Sequence, residues 1–174
     1  PRVAILSGGD ELVEPDEDVT GGKIVSSNSY TLAAQCLDAG AEPHYLGIAR
    51  DEPEELERYL QAGVRADCIV TSAGVSVGDH DLVQKVLGDI GLEIDFWRIA
   101  MRPGKPLLFG ALGGTFLTGL PGNPVSSLVC AIMFLAPAAR TMMGIADPLP
   151  KPLIARPAPD PPETDQREDS PRAT

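Results

Sequence analysis

Positive charge is in short supply in this sequence. Lys and Arg together number 14 against 25 for Asp and Glu in 174 residues, a formal net charge of −11. So acidic a chain is poorly suited to nucleic acid or to an anionic membrane surface, both of which repel it. Cysteine is scarce as well. Cys36, Cys68 and Cys130 are odd in number, sit in apolar surroundings and show no zinc-like spacing, with His44 and His80 as the only histidines. They read as buried structural thiols in a reducing, cytoplasmic setting. No signal peptide is visible, and the longest apolar run, Leu128 to Ala136, is too short to span a bilayer. No Ser-His-Asp or Cys-His arrangement has a credible context, which argues against a covalent nucleophile. Internal repeats are missing too. The chain begins at Pro1 rather than Met, which points to a piece of a longer protein.

What is present alternates. Val3 to Leu6 reads as a first strand buried on both faces, ending in a Gly8-Gly9 turn followed by two acids. Asn28 or Ser27 caps a helix over Ser29 to Ala39, with Tyr30, Ala33 or Ala34, and Leu37 on one face and Gly40 at its C′ position. His44 to Ile48 is a second core strand, and Pro53 opens a helix with Leu56, Tyr59 or Leu60, and Val64 facing inward. Cys68 to Thr71 leads through a loop of small residues, Ser72 to Asp81, into a helical pattern from Leu82. Glu93 to Ile99 is a further strand. Leu107–Phe109 and Thr115–Thr118 flank Gly113-Gly114 as a hairpin. A helix from about Val125 to Met143, apolar almost all round and therefore buried, carries Pro137 as a bend or local irregularity. From Asp147 onward eight prolines and little apolar periodicity mark an extended or disordered tail. Residues 1–146 thus form one domain and 147–174 a Pro-rich tail.

Strands alternating with helices imply an α/β fold, three layers with a mainly parallel sheet and helices on both faces. Ligands in such folds bind beyond the carboxyl ends of the strands. Five polar loops follow strands here: Gly8 to Leu12, Arg50 to Pro53, Ser72 to Asp81, Arg102 to Pro106, and Pro121 to Ser126. They should gather on one rim. Asp10, Glu11, Asp51, Asp79 and Asp81 would then repel one another unless a cation intervenes, and Mg2+ with a substrate phosphate suits such oxygen ligands. Helix caps at Asp10 and Asp81 with solvated Glu11 and Asp51 are the plainer alternative. Arg102 and Lys105, stiffened by Pro103 and Pro106, are placed to grip an oxyanion or to neutralise the acidic rim. Ser126, at a helix start behind the stiff Pro121-Gly-Asn-Pro124 turn, can donate to an anion. Gly74 and Gly78 permit unusual backbone angles beside the hydroxyls of Thr71, Ser72 and Ser76.

Four motifs in order carry a resemblance: Ser7-Gly-Gly-Asp-Glu-Leu12, Thr71-Ser-Ala-Gly-Val-Ser-Val-Gly-Asp79, Met101-Arg-Pro-Gly-Lys-Pro106 and Gly119-Leu-Pro-Gly-Asn-Pro-Val-Ser126. Over about Arg2 to Gly144 the chain resembles the third, molybdopterin-binding domain of the molybdopterin molybdenumtransferase (MoeA) family, which includes the E domain of gephyrin. The resemblance implies a MogA-like fold and a role in molybdenum cofactor biosynthesis. It implies Mg2+-dependent hydrolysis of adenylylated molybdopterin with insertion of molybdate and release of AMP. By motif position, Glu11, Asp51 and Asp81 would be the catalytic acids and Asp10, Glu11, Asp51, Asp79 and Asp81 the metal side. Arg102, Pro103, Lys105, Pro106 and Ser126 would form the molybdate pocket, and Ser72, Gly74, Ser76, Gly122 and Asn123 the pterin side. Family members carry two earlier domains and a later β domain, whose opening the tail resembles, and they act as dimers. Gly8 stands where the family commonly has Thr, and Ala73 where it usually has Gly. Two rivals are the molybdopterin adenylyltransferase of the same fold, which lacks the last two motifs, and a non-catalytic scaffold module.

Overall fold

β1 (Arg2–Gly8) is the strand on which the sheet is built. The computed structural model describes residues 1–73 and 87–152 together with the backbone of Glu168–Asp169. Successive side chains of a strand point to opposite faces, and β1 is apolar on both. Val3 and Ile5 enter one cluster and Ala4 and Leu6 another, all of them essentially inaccessible. Such a strand requires cover above and below. α1 (Ser27–Asp38) supplies Leu32 and Cys36 to the first cluster. α3 (Pro124–Met142) adds Cys130, Ala131 and Leu135 to it. α2 (Pro53–Gly63) supplies Leu60 to the second cluster, joined by Leu87 from the helical residues 87–89. Three layers result, as the alternation predicts. Each fully buried Leu or Ile contributes roughly 1.5–3 kcal/mol relative to exposure.

The remaining strands, in chain order, are β2 (Leu12–Val13), β3 (Ile24–Val25), β4 (Glu42–Ala49), β5 (Cys68–Ser72), β6 (Leu92–Trp97), β7 (Met101–Arg102), β8 (Leu108–Leu112), β9 (Thr115–Leu120) and β10 (Glu168–Asp169). The six-stranded sheet runs β4-β1-β5-β9-β8-β6. β1 pairs in parallel with β4 and β5, β5 in parallel with β9, and β8 lies antiparallel between β9 and β6. Outside it, β2 pairs with β3 and β7 with β10. Gly113 and Gly114, at φ of 56° and 85°, make the tight β8–β9 turn. Two positive φ values define the hairpin turn whose twist matches the strands. Register breaks occur between Ile5 and Leu6 opposite β4 and between Ile94 and Phe96 opposite β8.

Three expectations are corrected. α1 turns Ser29, Leu32 and Cys36 inward, while Tyr30 and Leu37 are 54% and 65% exposed. β4 is an edge strand, paired only through β1 and mostly part-exposed, rather than a core strand. α3 is not buried all round: 39% of its most apolar window is inside, and Val125, Ile132, Met133 and Met142 are exposed. With 19 residues and mean hydropathy 1.6 it is long and apolar enough to cross a membrane by length and composition alone. Its irregularity is a π turn at Ala131–Leu135, with the Ala136 N–H donating to Ala131 O directly ahead of Pro137, which has no N–H to give. The extended tail over 153–167 and 170–174 lies outside the described residues.

The three thiols are buried, and burial pushes Cys36 and Cys130 up to about 11 and Cys68 to about 12. Burial, and then the hydrogen bond from its hydroxyl to Glu14 Oε1 at 2.8 Å, likewise holds Tyr45 up to about 12. Unfolded thiols release their protons near 9.0 and unfolded tyrosine near 10.0. The protonated forms thus favour the fold, and this contribution is complete below pH 9 and lost as pH rises through 11 to 12. We expect urea midpoints to hold up to pH 9 and to fall steadily above it. A midpoint that stays constant to pH 11 would contradict the burial of these groups.

Candidate functional site

The carboxyl ends of the parallel strands stop level with one another. Gly8 is opposite Ala49, Ser7 opposite Ser72, and Ser72 opposite Leu120. β8 runs the other way and starts at the same edge, with Leu108 opposite both Gly119 and Trp97. Four of the five loops, and Ser72–Ala73 at the start of the fifth, therefore share one rim. Along that rim they form three separate knots.

The first knot joins the exits of β1 and β4. The Gly9 N–H donates to Ala49 O (3.1 Å), and the Asp51 N–H to Asp10 Oδ1 (3.2 Å). Arg50 Nη1 donates to Asp10 O and Leu12 O at 3.2 and 3.1 Å, Lys23 Nζ also donates to Asp10 O, and the Ile24 N–H donates to Glu11 O. Gly9 has φ of 138°, and a methyl group there would meet the Glu11 carboxylate. Asp10, Glu11 and Asp51 are all exposed at this knot. Among the described residues no three His, Cys, Asp or Glu side chains gather closely enough to hold a metal ion. The donors described, three solvent-open carboxylates that do not cluster into a closed site, fit an ion that takes one or two of them and completes its shell with water and phosphate. Gly74, Ser76, Asp79, His80 and Asp81 lie outside the described residues.

The second knot is central. The Ala73 N–H donates to Leu120 O at 3.1 Å, prolonging the β5–β9 ladder into the loops. Asn28 Nδ2 donates both to Ser72 Oγ (3.0 Å) and to Gly122 O (2.8 Å). A Cβ on Gly122 would stand 3.0 Å from that of Ala73, and Ala73 has φ of 62°. Left-handed backbone costs a non-glycine residue roughly 1–2 kcal/mol. Ser72 is 1% exposed, so its hydroxyl serves the framework behind the loop surface. Asn123 Oδ1 accepts from the Val125 and Ser126 N–H groups at 3.1 Å each. The start of α3 is thus capped from within, and the half-buried Ser126 has its hydroxyl 3.4 Å from the same oxygen.

The third knot is basic. Arg102 and Pro103 are partly buried and joined by a cis peptide, Lys105 is exposed and Pro106 partly buried. Cys130 Sγ, on α3, donates to Gly104 O at 3.8 Å, and the Ile99 N–H donates to Lys105 O at 3.0 Å. Gly104, at φ of 120°, has no room for a methyl group between Met101 and Cys130. The acidic knot lies where β1 and β4 end and the basic loop leads into β8, with β5 and β9 between them in the sheet.

Sequence reasoning placed Arg50 in a rim loop without giving it a role, and missed Asn28, which sits in a run of serines that disguised it as a helix cap.

Residues 4–141 match the family described as a probable molybdopterin binding domain. A molybdopterin molybdenumtransferase of Nostoc sp. is 45% identical over 150 residues, covering 84% of this chain and 34% of that protein. One from Haemophilus influenzae is 39% identical over 144 residues, covering 82% and 35%. The crystal structure of a molybdopterin biosynthesis MoeA protein from Pyrococcus horikoshii superposes with a TM-score of 0.74 at 32% identity, over 83% of this chain and 36% of the other. The chain spans about a third of the length of the curated relatives it matches.

The contact between the two central loops can be measured. Gly122→Ala should lower stability by about 1–3 kcal/mol through the clash with Ala73, the usual cost of overpacking. In an Ala73→Gly background the loss should shrink to about half or less. Strictly additive losses in denaturant titrations would mean that these loops do not touch.

Proposed function

Because the chain belongs to the molybdopterin-binding domain family, we propose that it forms the substrate-binding part of a molybdopterin molybdenumtransferase, in which adenylylated molybdopterin is hydrolysed with release of AMP and molybdate is inserted. The observation that supports this reading is the arrangement of the rim: exposed carboxylates where β1 and β4 end, a proline-stiffened cationic loop ahead of β8, and the Gly122-bearing loop after β9 between them. A long ligand with a phosphate at one end and an oxyanion-binding reaction centre at the other matches that layout.

The roles follow from charge. Asp10, Glu11 and Asp51, with Asp79 and Asp81, would hold Mg2+, and the ion would supply charge neutralisation at the adenylate phosphate. Arg50 and Lys23 brace the turn that presents Asp10 and Glu11, so these acids need no reorganisation when the phosphate arrives. Hydrolysis joins a water oxygen to phosphorus as the P–O bond to molybdopterin phosphate breaks, and AMP leaves. Arg102 and Lys105 attract the molybdate dianion, and Pro103, Gly104 and Pro106 keep their backbone in one shape. Ser126 contributes its hydroxyl alone, since its N–H already serves Asn123. Gly122, Asn123, Gly74 and Ser76 line the pterin side.

Two measurements test the reading. Lys105→Ala should weaken molybdate binding, followed by calorimetry, by at least tenfold with the thermal midpoint little changed. Asp51→Asn should abolish AMP release from adenylylated molybdopterin in the presence of Mg2+ and molybdate, in this chain or in the longer protein, while molybdate affinity stays within twofold. Full AMP release by Asp51→Asn would remove the acidic knot from the chemistry.

A further inference from the structure

One side chain at the centre of the rim has no part in the chemistry above. Asn28 is nine-tenths buried at the start of α1 and commits both hydrogens of its amide nitrogen. One goes to Ser72 Oγ, 44 residues onward, and the other to Gly122 O, 94 residues onward. We propose that Asn28 is a positioning residue of the rim, fixing Ser72–Ala73 at the exit of β5 against Gly122 at the exit of β9. The proposal rests on the reading that molybdopterin binds against these two strand exits.

A helix-capping role does not account for this residue. The N-cap is Ser26, and Asn28 is the second residue of α1, with its side chain turned into the sheet. Anchoring of α1 does not account for it either. Ser26 Oγ already donates to Ser7 Oγ at 2.9 Å, and Leu32 and Cys36 lie in the core. A buried amide must find partners for both N–H bonds, and here both partners belong to ligand loops and neither to the helix. Ser72 ends β5 and Gly122 follows the end of β9, strands that are already neighbours, so the amide adds nothing to sheet pairing. Its effect is to draw the loops together just beyond the last ladder bond, from the Ala73 N–H to Leu120 O. The close approach of Gly122 to Ala73, and the left-handed backbone Ala73 adopts there, are what such a clamp would enforce.

Asn28→Asp keeps the shape and removes both donors, setting a carboxylate against the Gly122 carbonyl. In the full chain, held well below its thermal midpoint, amide exchange at Ala73, Val125 and Ser126 should rise at least tenfold while Gly9, in the β1–β4 knot, is unchanged. Molybdopterin affinity should fall at least tenfold, with molybdate affinity within about threefold, because Arg102 and Lys105 are tied to α3 through Gly104 and Cys130. Leu32→Ala, a core variant that destabilises without touching the loops, should keep molybdopterin affinity within twofold. Unchanged exchange in Asn28→Asp would overturn the clamp, and so would loosened loops that bind molybdopterin as tightly as before. Wild-type chain that binds no molybdopterin would instead overturn the proposed function and the clamp's ligand role together, whereas the exchange measurement needs no ligand.

Discussion

The constraint on which the rest depends is the parallel ladder through β4, β1, β5 and β9. Parallel strands bonded side by side in register all release the chain at the same edge, and each must return by a crossover on one face or the other. β1 is buried above and below, so both faces are already occupied by helices. Polar loops have nowhere to collect but the rim. Residues as far apart in sequence as Asp10 and Gly122 share that edge because backbone hydrogen bonds place their strands two apart, before any side chain takes part. Secondary contacts then divide the rim into acidic, central and basic stations, each fastened by its own short set of bonds.

Those stations are stiff for different reasons. The acidic turn is braced by Arg50 and Lys23 reaching backbone carbonyls, which leaves the carboxylates free to meet solvent. Gly104 holds the basic loop against α3, since nothing larger fits between Met101 and Cys130. At the centre, buried polar groups do the fastening. Preorganisation of this kind lowers the entropy lost when a ligand is bound, which matters most for a long, flexible substrate touching all three places.

How much of this was legible in the sequence depended on whether the signal was local. Gly113-Gly114 announced its hairpin because only a residue without Cβ takes two successive positive φ values comfortably. Gly40 ended α1 for the same reason, and Pro53 opened α2. The inward face of α1 was misjudged because apolar residues occur all round it: Leu32 and Cys36 face the sheet while Tyr30 and Leu37 face outward, and helical spacing alone does not choose between the two sets. β4 looked central because its composition resembles that of a core strand, yet strand order is a property of the whole topology. Pro137 foretold an irregularity but not its form as a π turn. The rim itself was legible, since glycine, proline and acid clusters followed strand after strand. The strand order between its acidic and basic loops was not, because sequence order places Arg102 and Lys105 without telling how many strands lie between them and Asp51.

The two register breaks have a bearing on self-association. An outermost strand with a straight row of free N–H and C=O groups invites a neighbour to add on and continue the array. Here both boundary strands are irregular. β4 contains Pro43, which has no N–H, shifts its pairing opposite Leu6 and carries Gly47 at φ of 121°. β6 shifts near Phe96 and exposes Glu93 and Asp95. Both borders therefore resist templated growth, so copies of this protein crowded together are directed away from fibrous, edge-on stacking.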